Sequence, residues 1–398
     1  MSIPFFLGVI FALYLTVNTY LFARLFMTLA GTGAIRGLAC ALLLFFALAF
    51  PASRIFYDKL PRALASFLVV SGSLYLAPMV YGFFFTLCAD LLRFLNGFIS
   101  ITPLPPPFSV SGRLHTVLAV AFLAIFVSLA GALNARFPRT IRHDVAYRLP
   151  ESADNGESKP HAPLKIAMVS DIHLGRLVGL RHVRKVVDLV NAENADIVLL
   201  VGDILDDVDW MRGEETRSRG VEIFGNMRSR LGTWAVTGNH EYYAGLDESI
   251  AFLEDAGIRL LRDEWALPGE EVLLVGREDR TALRMGEIRK SIPDIVSDAV
   301  ANETFDARSL PLVVMDHQPF ALHEAEDAGA ALQLSGHTHR GQLFPFNFIV
   351  AKLYEHHYGL YKRGGTNYYI SSGAGTWGPP VRTSGRPEIA VITMTFQE

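Results

Sequence analysis

Ile197-Val198-Leu199-Leu200-Val201-Gly202-Asp203-Ile204-Leu205-Asp206 sets an unbroken apolar run ahead of a glycine and two spaced carboxylates. Such a run reads as a buried strand, and the carboxylates begin where it ends. The same grammar recurs to either side. Ile166-Ala167-Met168-Val169 leads into Asp171-x-His173, and Thr233-Trp234-Ala235-Val236 leads into Gly238-Asn239-His240-Glu241. Leu312-Val313-Val314-Met315 precedes Asp316-His317-Gln318-Pro319, and Ala331-Leu332-Gln333-Leu334 precedes Gly336-His337-Thr338-His339. Between the runs, Val183, Val186, Val187 and Val190 repeat at helical spacing, as do Ile250 and Leu253. Alternating strands and helices predict an α/β domain whose ligand site lies at the carboxyl ends of the strands. Tyr368-Tyr369-Ile370 and Ile389-Ala390-Val391-Ile392 are expected as closing strands. Two packed sheets flanked by helices is the expected architecture, although periodicity alone is equally met by a single sheet.

Carboxylates and imidazoles are costly to gather in a folded interior unless cations hold them. Five clusters at strand ends therefore point to a binuclear metal site for hydrolysis. A phosphoester is anionic at neutral pH and repels hydroxide. Two cations held about 3.5–4 Å apart by a shared carboxylate such as Asp203 would neutralise it and let a bridging water lose a proton. His240 is then placed to protonate the departing oxygen or to stabilise charge on the phosphoryl group. Glu241 or Asp206 is expected to orient a histidine.

Hydrophobic residues make up 51% of the 398 and charged residues 19%, a balance that divides the chain between membrane and water. The net charge of -4 gives no pull toward nucleic acid, and the only cysteines, Cys40 and Cys88, lie in apolar stretches, which excludes a disulfide framework for the soluble part. Apolar stretches from roughly Ile3 to Phe22, Ile35 to Phe50, Ala63 to Leu87 and Leu114 to Leu133 approach the length a membrane-spanning helix needs. Pro51 is expected to close the second, and Pro103, Pro105, Pro106 and Pro107 to sit in a surface loop. No charge cluster is expected inside the spans. Arg54, Lys59, Arg62, Arg136, Arg139, Arg142 and Arg148 fall on one side of such a bundle and Arg24, Arg36, Arg93 and Arg113 on the other, a bias that favours a cytoplasmic C-terminal domain. The domains expected are a transmembrane bundle over 1–143, a polar linker over 144–163 and a catalytic domain over 164–398.

The order of these motifs resembles that of the calcineurin-like metallophosphoesterase superfamily, over about Leu164 to Glu398. The resemblance implies a four-layer α-β-β-α sandwich. It also implies Asp171, His173 and His339 on one metal, Asn239, His317 and His337 on the other, Asp203 bridging, and His240 as the catalytic histidine. The stretch from Gly375 to Arg382 is similar to the tail of the membrane-anchored bacterial branch, some of whose members hydrolyse phosphodiesters or the pyrophosphate of UDP-diacylglucosamine, which suggests a bacterial inner-membrane location. Mixed nitrogen and oxygen ligands suit manganese first, then iron or zinc.

Arg340 and Arg382 are each read either as phosphate contacts or as outward salt bridges. His356 and His357, being adjacent, point to different sides and are not expected to share a metal. The segment from Phe344 to Tyr361 reads either as a bilayer-facing surface or as an internal loop closing the sandwich. The leading expectation is an integral membrane phosphoesterase acting on a lipid-linked phosphodiester or pyrophosphate. A soluble substrate, or a non-catalytic metal-dependent sensor or scaffold, are the alternatives.

Overall fold

The computed structural model describes residues 3–99, 110–148, 162–302 and 309–397. The expected loop prolines Pro103, Pro105, Pro106 and Pro107, and residues 149–161 of the expected linker, lie outside them. By contacts the chain divides into a helical unit over residues 1–133, with 378–381, and a larger unit formed by the rest.

The helical unit contains α1 (Ile3–Thr28), α2 (Ala34–Ile55), α3 (Arg62–Ile99) and α4 (Val110–Ala135). All four carry stretches long and apolar enough to cross a membrane. Two expectations need correction. Pro51 does not close the second span: α2 continues through it to Ile55, which a packed helix tolerates when neighbouring groups satisfy the freed carbonyl. Charges also do meet within the bundle, because Asp90 of α3 pairs with Arg24 of α1 and with Arg93 one turn further along its own helix. Elsewhere in the unit Tyr75 donates to Asn18 at 2.6 Å, Asn18 donates to the Tyr14 carbonyl at 2.8 Å, and Tyr14 donates to the Ala47 carbonyl at 2.7 Å.

The larger unit runs β1 (Arg139–Arg148), β2 (Leu164–Val169), α5 (Leu180–Ala192), β3 (Ile197–Val201), α6 (Glu214–Gly225), β4 (Thr233–Val236), α7 (Asn239–Ala244), α8 (Leu246–Asp255) and β5 (Arg259–Leu260). It continues with β6 (Glu264–Ala266), β7 (Leu273–Gly276), α9 (Thr281–Met285), α10 (Ile292–Val300), β8 (Leu312–Met315), α11 (His323–Asp327), β9 (Leu332–Ser335), α12 (Phe346–Leu353), β10 (Gly359–Arg363), β11 (Thr366–Ile370) and β12 (Glu388–Gln397). Two six-stranded sheets result, in the orders β1-β12-β2-β3-β4-β5 and β10-β11-β9-β8-β7-β6. Strands β2 to β5 are mutually parallel, as are β7, β8, β9 and β11.

The alternation of strand side chains explains the layering. Ile166, Met168, Leu199 and Val201 from the first sheet share one buried cluster with Val313, Met315, Leu332 and Leu334 from the second, so the sheets pack face to face. The opposite face of the first sheet, through Ala167, Val169, Val198 and Leu200, meets Val183, Val186, Val187 and Val190 of α5 and Phe252 and Leu253 of α8. That of the second, through Val275, Val314, Tyr368 and Ile370, meets Ile292, Ile295 and Ala299 of α10. This is the four-layer α-β-β-α sandwich.

The expected boundaries at 143 and 164 are also corrected. β1 pairs in parallel with β12 along its whole length, Arg139 opposite Glu388 through Arg148 opposite Gln397, so the sandwich already includes residues 139–148.

Candidate metal centre

Each motif follows the carboxyl end of a strand. Asp171 and His173 follow β2, Asp203 follows β3 and Asn239 opens α7 after β4, all from the first sheet. His317 follows β8, and His337 and His339 follow β9, from the second. The parallel order β2-β3-β4 beside β9-β8 brings these loops to a common end of both sheets.

The side chains then crowd together in the interior. Asp171, His173, Asp203 and His317 are each at most 1% exposed. His173 Nε2 lies 3.0 Å from His339 Nε2 and 3.8 Å from Asp203 Oδ2, while His339 Nε2 lies 3.4 Å from Asp171 Oδ1. Asp203 Oδ2 is 3.1 Å from His317 Nε2, so this carboxylate stands between the two groups of imidazoles. Asp171, His173 and His339 form one cluster with ligand atoms close enough to hold a metal, and Asp203, His317 and His337 form another. His317 Nδ1 donates to the Val201 carbonyl at 2.8 Å, so Nε2 is the nitrogen turned to Asp203 and the one a metal would take.

Several buried acceptors find no hydrogen-bond donor. Asp171 Oδ2 and Asn239 Oδ1 are the clearest. A carboxylate oxygen and an amide oxygen left bare in the interior beside inward-facing imidazoles are costly as they stand and are satisfied by cations. The donor set of oxygens and nitrogens without thiolate fits divalent metal.

The backbone is strained to achieve this. Asp171, His173, Asp203, His337 and His339 all adopt positive φ, between 47° and 70°. Each costs roughly 1–3 kcal/mol in a non-glycine residue, and such strain persists only where the surroundings enforce it. Gly238 shows how tight the site is, since a Cβ there would strike the Asp203 side chain and amide.

Charge follows burial. Burial pushes His337 down to about 3 and His339 well below the usual imidazole value, the latter helped by nearby His173 and Arg382, so both are neutral and able to ligate. Burial would raise Asp203, but His317 and His240 overcome it and hold the carboxyl well below its usual range. Burial would lower His240, yet Asp203 and Asp206 raise it to about 9.

Glu241 and Asp206 hold different parts of the site. Glu241, 1% exposed, accepts backbone N–H bonds from Asp203, Ile204, Leu205 and Gly238 at 2.7–3.0 Å, locking the loop after β3 to the start of α7. Asp206 lies 2.6 Å from His240 Nδ1 and 3.6 Å from His173 Nδ1, and so fixes the ring of His240. Asp316, beside His317, is bound instead by Arg277 and Arg289.

The remaining expectations divide. Arg382 is not an outward salt bridge: it is 1% exposed, donates to the carbonyls of Gly375 and Ser372, and lies 3.1 Å from His339 Nδ1. Arg340 stacks 4.3 Å over the Tyr358 ring. His356 packs on Tyr361, and the His357 carbonyl accepts from Thr338, so the pair shares no site. The segment 344–361 is split. Residues 359–361 enter β10, as a closing loop would, whereas α12 buries no residue and leaves Phe348, Ile349 and Leu353 exposed, with Phe344 just before it.

Two exposed aromatic side chains were not anticipated. Tyr243 and Trp377 flank His240, with ring centroids at 5.5 and 6.0 Å. Tyr243 could have been found from its position three residues beyond His240 on one helix; nothing in the sequence brings Trp377 there.

Residues 164–341 match the family described as calcineurin-like phosphoesterase. A Helicobacter pylori protein described as an uncharacterized metallophosphoesterase is 34% identical over 233 residues, covering 58% of this chain and 60% of its own length. A zebrafish (Danio rerio) protein described as a transmembrane protein with metallophosphoesterase domain is 30% identical over 299 residues, 70% of this chain and 62% of its own. A Campylobacter jejuni relative, also described as an uncharacterized metallophosphoesterase, is 29% identical over 325 residues, 81% and 80%. The chain thus spans about three fifths of the length of the first two relatives.

Proposed function

We propose, from the premise that this chain belongs to the calcineurin-like metallophosphoesterases, that it is a membrane-embedded, metal-dependent phosphoesterase with a two-metal site, cleaving a phosphodiester or pyrophosphate bond of a lipid-linked substrate. The observation that carries the reading is the convergence of Asp171, His173, Asp203, His317, His337 and His339 from four separate loops, with bare buried acceptors at Asp171 and Asn239. Asp171, His173 and His339 would hold one cation, Asn239, His317 and His337 the other, with Asp203 shared between them. Manganese is the first metal to try, then iron and zinc. Bound cations would supply charge neutralisation on the phosphoryl oxygens and a nucleophile drawn from water at neutral pH.

The residues of the chain perform the rest. Asp206 holds Nδ1 of His240, so Nε2 is the nitrogen turned to the substrate, and the carboxylates of Asp203 and Asp206 favour the imidazolium. In that state His240 gives its Nε2 proton to the departing oxygen. Tyr243 and Trp377 pack their rings crosswise against His240, where they would border the leaving group.

The lipid-linked part of the reading is supported by exposed apolar surface next to the site. Gln342, three residues after His339, exchanges two hydrogen bonds with the backbone of Trp377, at 2.8 and 3.0 Å. It thereby ties that indole to the loop leading into Phe344 and α12. An apolar strip from Trp377 to Leu353 suits acyl or prenyl chains whose phosphate lies at the metals. The catalytic domain is proposed to be cytoplasmic, on the distribution of basic residues between the spans.

The test presents the full chain, with manganese in nanodiscs, to nucleotide-linked lipids, polyprenyl pyrophosphates, phospholipids and soluble diesters, with Asn239→Ala alongside. Lipid-linked substrates should be turned over faster than soluble diesters of matched chemistry. Equal turnover would remove the lipid assignment while leaving the phosphoesterase; turnover by Asn239→Ala at the wild-type rate would remove the metal assignment.

A further inference from the structure

The helical unit contains a cavity of about 260 Å³ between α1, α3 and α4, walled by apolar side chains such as Leu21, Leu25, Met79, Val117 and Val120. Arg24 and Arg93 also line it. Arg24 lies four residues before the end of α1, about 6 Å along the axis at 1.5 Å per residue, so the arginines stand near the depth of lipid headgroups.

Their charges do not balance within the helical unit. Both guanidiniums share one carboxylate, Asp90, which also accepts from Tyr20 at 2.6 Å. The only other acidic residue before Asp144 is Asp58. It lies between α2 and α3, at the opposite end of α3 from Asp90. Two positive charges against one negative leave one positive charge uncompensated. In addition, Arg24 Nε is buried and has no hydrogen-bond partner. A surplus cation and a bare donor at the mouth of an apolar cavity are expensive in a bilayer. A phosphate supplies the missing charge and acceptors, since guanidinium and phosphate oxygens match in geometry. Apolar walls exclude water, and hydrocarbon chains are the filler a membrane provides.

We infer that this cavity is a phospholipid-binding site, with an acyl chain between α1, α3 and α4 and the lipid phosphate on Arg24 and Arg93. The inference concerns the helical unit alone and does not rest on the catalytic reading.

The test uses the full chain, delipidated in detergent, and native mass spectrometry with phosphatidylglycerol, diacylglycerol or glycerol phosphate. One phosphatidylglycerol should bind per chain, with neither phosphate-free diacylglycerol nor chain-free glycerol phosphate retained at the same concentration. Arg93→Gln removes the surplus charge and leaves the Arg24–Asp90 pair. Gly82→Leu fills the cavity and leaves both arginines; a Cβ at Gly82 meets only the Leu21 side chain, at 3.9 Å. Each should weaken phosphatidylglycerol binding about tenfold or more, and only the wild type should gain thermal stability from the lipid. Wild-type affinity in both folded variants, or equal retention of diacylglycerol, would overturn the inference. Glycerol phosphate bound as tightly as the lipid would replace it with a free-anion site.

Discussion

Two buried polar clusters, one in each unit, answer the same physical problem in opposite ways. In the helical unit Tyr75, Asn18 and Tyr14 pass hydrogen bonds from one to the next and finish on the Ala47 carbonyl. That chain closes on the protein itself. In the sandwich, Asp171, His173, Asp203 and His339 point at one another on a strained backbone, and the bare oxygens of Asp171 and Asn239 wait for something the polypeptide lacks. A closed network contributes to packing; an open one is kept for what it binds. Burial alone therefore says little about function, and the accounting of donors and acceptors says more.

The largest break in this contrast should come from the open cluster. Asp203→Ala removes the carboxylate between both groups of imidazoles, and kcat should fall by about 10³-fold or more. Metal retained after gel filtration, measured by atomic emission, should fall with it, and a chelator should have the same effect on the wild type. Glu241→Gln tests the scaffold beneath that cluster. An amide can no longer accept all four backbone N–H bonds, so denaturant unfolding should show a loss of about 2–4 kcal/mol, with activity impaired even in the folded fraction.

A smaller effect is expected where a residue only steadies another. Asp206→Asn should lower kcat by about 10–100-fold with metal content little changed, because it frees the ring of His240 without removing one of the seven proposed ligands. The closed cluster should yield the least. Asn18→Leu in α1 should cost roughly 1 kcal/mol of stability in detergent and leave the turnover rate as it was. A tenfold drop in kcat from Asn18→Leu would erase the distinction between the clusters.

How far the sequence revealed this arrangement depended on burial. The strands β2, β3, β4, β8 and β9 are buried throughout or nearly so, read as continuous apolar runs, and so marked the ends where the motifs begin. β1 was invisible for the opposite reason. Along Arg139–Arg148 only Val145 is buried, and a half-exposed edge strand rich in arginine looks like linker. Arg382 was legible as a candidate but its burial beside His339 was not, because that approach depends on the fold of the loops after β11. The charges of Arg24, Asp90 and Arg93 were legible one by one, but their meeting required the register of α1 against α3.

The placement of β12 has a consequence for biosynthesis. It lies between β1 and β2, and its first residue, Glu388, accepts from Tyr369, Tyr358 and the Ser372 amide. A ribosome must therefore emit everything from β1 through β12 before the first sheet can close, leaving β2 without its antiparallel neighbour until then. A nonsense codon just ahead of Glu388 should consequently cost the cell the entire sandwich, as a product cleared by proteolysis.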